Sequence, residues 1–158
     1  TVGPHGAPAL VLRPARAADL DALVALEAVA FATDRLSRRS LRRFAGRSPI
    51  MLVALHEQRL LGYALVLVRA GSDLARLYSL AVDPTARRGG IGAALLAAAE
   101  QAAQARCCRR MRLEAAERNA AALRLYRRRG YREIARLAAY YRDGGTAIRL
   151  EKTLVAAA

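Results

Sequence analysis

A chain of 158 residues can bury one sizeable core and is too short for two ordinary domains. Its 54% apolar and 25% charged residues exclude a disordered chain, and no apolar run approaches the roughly 20 residues that span a bilayer. The net charge of +14 is carried almost wholly by arginine, Lys152 being the only lysine. That charge suits phosphates, nucleic acid or acidic proteins, and equally a solvated surface encoded by a G+C-rich genome, so it does not by itself make a nucleic-acid binder.

Residues 1–8 hold two prolines and two glycines and read as a loose arm. They lack a basic segment followed by an apolar core, so a cytoplasmic protein is expected. A first strand is predicted over 9–13, ended by Pro14. Asp19 is placed to cap a helix running to about residue 30, with Leu20, Leu23 and Val24 at helical spacing. Glu27 falls in the same arc, either at a solvated edge or facing a cavity. After a loop over 31–35, Ser37 can cap a second helix, and Leu36 and Leu41 have the spacing of a hydrophobic staple. That helix turns Leu41 and Phe44 inward and leaves Arg38, Arg39, Arg42 and Arg43 outside.

Residues 50–55 and 60–68 are apolar, β-compatible runs that pair naturally as a hairpin, and another strand is predicted over 76–82. The stretch LYSLAVDPTARRGGIGAA, residues 77–94, then reads as strand, turn and helix start. Glycines 89, 90 and 92 leave the first N–H groups of the helix uncovered. Those donors and the positive end of the helix dipole bind anions, with Arg87 and Arg88 adding charge. The helix, over about 90–105, carries Ile91, Leu95, Ala98 and Ala102 on one face. A short strand follows over 111–115, with Met111, Leu113 and Ala115 alternating with Arg112 and Glu114.

Asn119 can cap a helix over 120–129, whose terminal arginines complement the dipole before Gly130. Residues 131–137 and 146–154 read as a closing strand pair with Asp143-Gly144-Gly145 in the turn, and residues 155–158 form a tail. Cys107 and Cys108 are adjacent, and His5 and His56 are isolated, so neither a disulfide framework nor a metal is expected. The element order predicts an α/β (α+β) domain over 9–154, a mixed sheet with helices on both faces.

This pattern resembles the GCN5-related N-acetyltransferase superfamily. Arg87-Arg88-Gly89-Gly90-Ile91-Gly92 matches its acetyl-CoA motif, set between LAVDP and AALL. Asn119-Ala120-Ala121-Ala122, Leu125-Tyr126 and Arg129-Gly130-Tyr131 are similar to a second family segment. With Leu113-Glu114 and Tyr140-Tyr141, they look most like the bacterial ribosomal-protein-alanine acetyltransferases, which modify a protein N-terminus.

The resemblance implies a mostly antiparallel sheet of six to seven strands with a splayed central pair. Acetyl-CoA would lie in the splay, its pyrophosphate held by the segment from Arg87 through Arg88, Gly89, Gly90, Ile91 and Gly92 to Ala93. Its pantetheine would pair with strand backbone at Leu80, Ala81 and Val82, near Asn119 and Ala122. Glu114 is implied as general base and Tyr126 as the acid that protonates the departing sulfur. Arginine at position 76, where other members keep their base, cannot serve. Two departures bear on the acceptor: Ala116 stands where the ribosomal-protein enzymes have arginine, and Ala32-Thr33-Asp34 replaces a Pro-Trp-like pair. Glu27, Phe31 and Asp34, with Tyr140 and Tyr141, would line an acceptor pocket able to hold a cationic amine. The acceptor is expected to be a protein N-terminus or a small amine. Recruitment of aminoacyl-tRNA through the basic surface is the alternative, and either a monomer or a homodimer is compatible.

Overall fold

The computed structural model describes residues 10–32, 34–45 and 49–154, the side chain of Arg88 excepted. The expected arm over 1–8, residue 9 of the first predicted strand and the tail over 155–158 lie outside the described residues. The elements run β1 (Val11–Pro14), a 3₁₀ turn (Ala17–Asp19), α1 (Leu20–Ala30), α2 (Arg38–Phe44), β2 (Ile50–His56), β3 (Arg59–Val68) and β4 (Leu74–Val82). A second 3₁₀ turn (Pro84–Gly89), α3 (Ile91–Ala105), β5 (Arg110–Ala116), α4 (Ala120–Arg128), β6 (Arg132–Leu137) and β7 (Ala147–Thr153) complete the order. One seven-stranded sheet is ordered β1-β2-β3-β4-β5-β7-β6. Only β4 and β5 run parallel; every other neighbour is antiparallel. The expected mixed sheet with helices on both faces is therefore the observed one.

The central strand explains the layering. Gly62 through Val66 are buried without alternation, because helices cover both faces of β3. Tyr63 and Leu65 enter the core beneath α1 and α2 with Leu23, Leu26 and Leu41. Ala64 and Val66 enter the other core with Leu95, Leu96 and Ala99 of α3 and Leu123 and Tyr126 of α4. Alanine and glycine let α3 lie close: a Cβ on Gly62 would stand 2.9 Å from the Ala81 carbonyl oxygen and 2.9 Å from Leu95 Cδ1. The carbonyl belongs to a paired strand and cannot yield. Gly62→Ala should thus cost about 1–3 kcal/mol, read as a lower urea midpoint at unchanged m-value.

Local chemistry sets the helix ends, with one departure from expectation. Ser37 accepts from Ser40 N–H at 3.1 Å and Asn119 from Ala122 N–H at 3.1 Å, both as caps. Asp19 makes no side-chain cap to α1. Its carboxylate instead takes both arms of the Arg13 guanidinium at 2.8 Å and the Arg16 N–H at 2.7 Å, closing the preceding 3₁₀ turn against β1. The Arg13 hydrogen bonds hold the Asp19 carboxyl below the usual range against the opposing effect of burial, with the Arg16 N–H assisting. A carboxyl lowered on folding stabilises the fold above its unfolded pKa of about 3.9, and that contribution disappears as pH falls through the folded value. Asp19→Asn should therefore lower the thermal midpoint at neutral pH and narrow its gap from wild type below about pH 4.

The closing strands are joined as expected, with Asp143-Gly144-Gly145 inside their connection. Tyr140 and Tyr141 N–H groups both donate to the Gly145 carbonyl, and Gly144 N–H to that of Tyr141, so residues 138–146 form a compact loop. Ala139 and Gly144 supply its positive φ angles of 52° and 85°. Cys107 is exposed and Cys108 buried, both as free thiols. Among the described residues no group of His, Cys, Asp or Glu is arranged to hold a metal, and no helix is long and apolar enough to cross a membrane.

Candidate active site

The parallel pairing of β4 with β5 covers only Leu74↔Arg110, Ala75↔Met111 and Arg76↔Arg112. Beyond Arg76 the strands separate, as the splay expectation requires. The outer edge of β5 stays paired with β7 through Ala116, and that of β4 with β3 through Val82. β4 also bulges: Leu65 faces Ser79 while Val66 faces Leu77, leaving Tyr78 as the extra residue. A bulge bends its strand, here close to where β4 and β5 cease to pair.

The gap opens into a cavity of about 770 Å³. β4 lines it with Arg76 through Leu80, and β5 with Leu113 through Ala116. Phe31, Asp34 and Leu36 close it from the connection between α1 and α2. Asn119, Ala122 and Tyr126 of α4 form another wall, with Tyr140, Tyr141 and Asp143 of the last loop. Four stretches distant in sequence thus meet at the diverging strands.

Two ionisable groups stand out in that wall. The Glu114 side chain is only 7% exposed and lies 2.7 Å from Arg76 Nη2 and 2.9 Å from Arg149 Nη2. Arg149 reaches it because Glu114 and Arg149 are directly opposed across β5 and β7. Arg112, the strand neighbour from which a partner could be expected, pairs with Glu151 at 2.9 Å instead. Tyr126 is buried in α4 with its ring edge-on to Tyr131 at 5.8 Å. Burial, then the nearby Tyr141, raises its pKa above that of an ordinary tyrosine, so the hydroxyl keeps its proton at neutral pH. Tyr141 is likewise pushed up to about 12, chiefly by burial and then by Tyr140, against which it packs edge-on at 5.1 Å.

At the start of α3, Gly90 adopts φ 74° as the N-cap, a left-handed conformation suited to glycine. The first helical bond runs from Ala94 N–H to the Gly90 carbonyl at 3.0 Å. The N–H groups of Ile91, Gly92 and Ala93 therefore have no acceptor within the helix. A Cβ on Gly89 or Gly90 would meet no atom within 4 Å, so the space before these donors is open. Gly92 serves packing as well, since its Cβ would lie 3.4 Å from Leu125 Cδ2 of α4. Asp83 opens the turn by accepting from Thr85 N–H at 2.9 Å, and its bonds to the Thr85 hydroxyl and N–H depress its pKa.

Residues 20–131 match the model of the Acetyltransferase (GNAT) family. The chain belongs to the GNAT acetyltransferase family. It is 33% identical over 144 residues to an uncharacterized N-acetyltransferase of Methanocaldococcus jannaschii, covering 90% of this chain and 91% of that one. Among solved structures it is similar to the ribosomal-protein-S18-alanine N-acetyltransferase from Escherichia coli, with TM-score 0.84 and 27% identity over 95% of this chain and 97% of that one. A ribosomal-protein-alanine N-acetyltransferase from Brucella melitensis gives TM-score 0.79 and 26% identity over 91% and 99% of the two chains. The GNAT family uses acetyl-CoA, and this chain is an N-acetyltransferase of that family.

The residues present suit that donor. A helix start with three uncovered N–H groups and a cavity edged by unpaired strand are the features that a ligand with a diphosphate and an amide-bearing arm would use. Of the expected donor-binding residues, Leu80, Asn119 and Ala122 line the GNAT cavity, whereas Ala81, Val82 and the segment 87–93 do not. Arg87 joins the two regions, lying 3.4 Å from the Val82 carbonyl oxygen and 3.5 Å from that of Ala30, itself a cavity residue. The expected role of the Arg88 side chain falls outside the described residues.

Glu27 departs from the expected acceptor pocket. It is 2% exposed, and both carboxylate oxygens are engaged, one by Leu36 N–H at 2.9 Å and the other by the Tyr63 hydroxyl. It lies on the buried side of α1 with Leu23 and Leu26, where the apolar arc of that helix carried it, and not in the cavity lining. Sequence reasoning missed Tyr78, Ser79, Arg118 and Asp143 in the lining, and Arg149 beside Glu114. The bulge at Tyr78 resets the alternation along β4, so strand periodicity could not assign Ser79. Arg118 is paired with Asp143, whose carboxyl is held down by the Gly145 N–H and by that guanidinium. Its position one residue before the Asn119 cap was the available signal.

Proposed function

We propose that this enzyme transfers the acetyl group of acetyl-CoA directly to a primary amine, the α-amine of a protein N-terminus, in a ternary complex. The observation that carries the reading is the placement of Glu114 and Tyr126 in one cavity at the parting of β4 and β5. When bound, acetyl-CoA supplies an activated acyl group as a thioester. The helix-start N–H groups, with Arg87, would hold its diphosphate, and the free edge of β4 at 80–82 would hydrogen-bond its amide arm, with Asn119 and Ala122 alongside. Glu114 takes a proton from the amine, which at neutral pH is mostly protonated and cannot attack in that form. Backbone N–H near Leu80 or Val82 polarises the acyl oxygen. Tyr126 gives its retained proton to the leaving sulfur. Phe31, Asp34, Tyr140 and Tyr141 enclose the acceptor, Asp34 favouring a cationic one.

The similarity to two ribosomal-protein-alanine enzymes supports a peptide acceptor. Its test is thiol release from acetyl-CoA, corrected for hydrolysis, with peptides bearing free N-termini, polyamines and single amino acids. The expected result is fastest turnover with an N-terminal alanine peptide. Faster turnover with spermidine than with any peptide would replace the protein acceptor by a small amine, and release with no amine would overturn the reading.

A further inference from the structure

Glu27 is a carboxylate in the core with no cation paired to it among the described residues, a placement that costs free energy unless its lone pairs are filled. They are filled by the Leu36 N–H and the Tyr63 O–H. The Tyr63 hydroxyl donates to Glu27, and a phenol has one proton, so that proton is spent on the carboxylate. The Ser79 oxygen lies 2.9 Å from the Tyr63 oxygen, which leaves Ser79 as donor in that contact. Serine also has one proton. Its remaining capacity is to accept, and Ser79 lines the cavity.

We propose that Glu27, Tyr63 and Ser79 form a directed hydrogen-bond chain that fixes the Ser79 hydroxyl as an acceptor for an N–H of the substrate amine. The proposal rests on the amine-acetylating reading above. Ser79 and Tyr63 turn toward the α1 and α2 side of the sheet, where Phe31 and Leu36 form the cavity wall, whereas the start of α3 packs on the opposite face. The N–H assigned to Ser79 is that of the amine, and separate amine and acetyl-CoA KM values distinguish it from an amide N–H of the donor. Glu27 is a positioning residue, acting through Tyr63 on a group that touches substrate.

Glu27→Gln tests the direction with little change of shape. To receive the Leu36 N–H, the glutamine must aim its carbonyl there and its NH₂ at Tyr63. The Tyr63 proton then turns to Ser79, and the Ser79 proton turns into the cavity, against an N–H donor. With an N-terminal alanine peptide, or with spermidine if only that turns over, Glu27→Gln and Ser79→Ala should each raise the amine KM about three- to tenfold. The acetyl-CoA KM should stay unchanged in both. In the Ser79→Ala background, Glu27→Gln should add nothing further. A Glu27 that merely braces Leu36 would raise KM equally in both backgrounds, overturning the chain. Wild-type amine KM in Ser79→Ala, or a shift confined to the acetyl-CoA KM, would overturn it too. If Glu27→Gln does not fold, Tyr63→Phe interrupts the chain and should follow the same pattern. No turnover by the wild-type enzyme with any amine fails the functional reading and the chain together, whereas turnover with unmoved KM values fails the chain alone.

Discussion

Tyr126→Phe should lower kcat about 10²–10⁴-fold while leaving acetyl-CoA affinity nearly unchanged. The substitution removes a single oxygen. The aromatic ring, buried in α4 and set edge-on to Tyr131 at 5.8 Å, keeps its packing, so the thermal midpoint should barely move. On the proposed mechanism, what disappears is the proton donor to the departing sulfur, a hydroxyl whose raised pKa keeps it protonated at neutral pH. The loss belongs to the transition state, hence to kcat rather than to donor binding. Steady-state kinetics with calorimetric acetyl-CoA titration separates the two. Full turnover in the variant would remove Tyr126 from the reaction.

What could be read in the chain follows the range of the interactions involved. The strand, turn and helix around Gly89, Gly90 and Gly92 were legible because glycine conformation, helix-start donors and a cap are local properties. The caps at Ser37 and Asn119 are of the same kind, and each accepts the N–H three residues on. Asp19 looked like such a cap, but Arg13, brought beside it by β1, outcompeted the helix for its carboxylate. Partners set by strand register were out of reach: Glu114 meets Arg149 across β5 and β7, and no local pattern links them. The bulge at Tyr78 was hidden for a related reason, since a one-residue register shift appears only when β3 is laid beside β4. The sequence shows Glu27 as an acid on an apolar arc, with edge and cavity as the alternatives; the core position is stable because Leu36 and Tyr63 arrive from other elements.

Replacing Glu114 by glutamine should lower kcat/KM for the amine about 10²–10⁴-fold, with the loss greatest at low pH. A glutamine carbonyl can still accept from Arg76 or Arg149, so the contact that spans β4, β5 and β7 survives in part and the fold should hold. The proton acceptor of the proposed mechanism does not survive. The variant must draw on amine already deprotonated in solution, a minor fraction at pH 7 for an α-amino group with a pKa of about 7.7–8.0. Its rate should climb with pH toward that value and then level, narrowing the gap from wild type. Glu114→Ala sharpens the distinction, since it leaves two guanidiniums beside a half-empty site and should cost stability as well as rate. If Glu114→Gln keeps wild-type turnover at every pH while Glu114→Ala only lowers the melting midpoint, the carboxylate is a tie between two arginines and the base lies elsewhere.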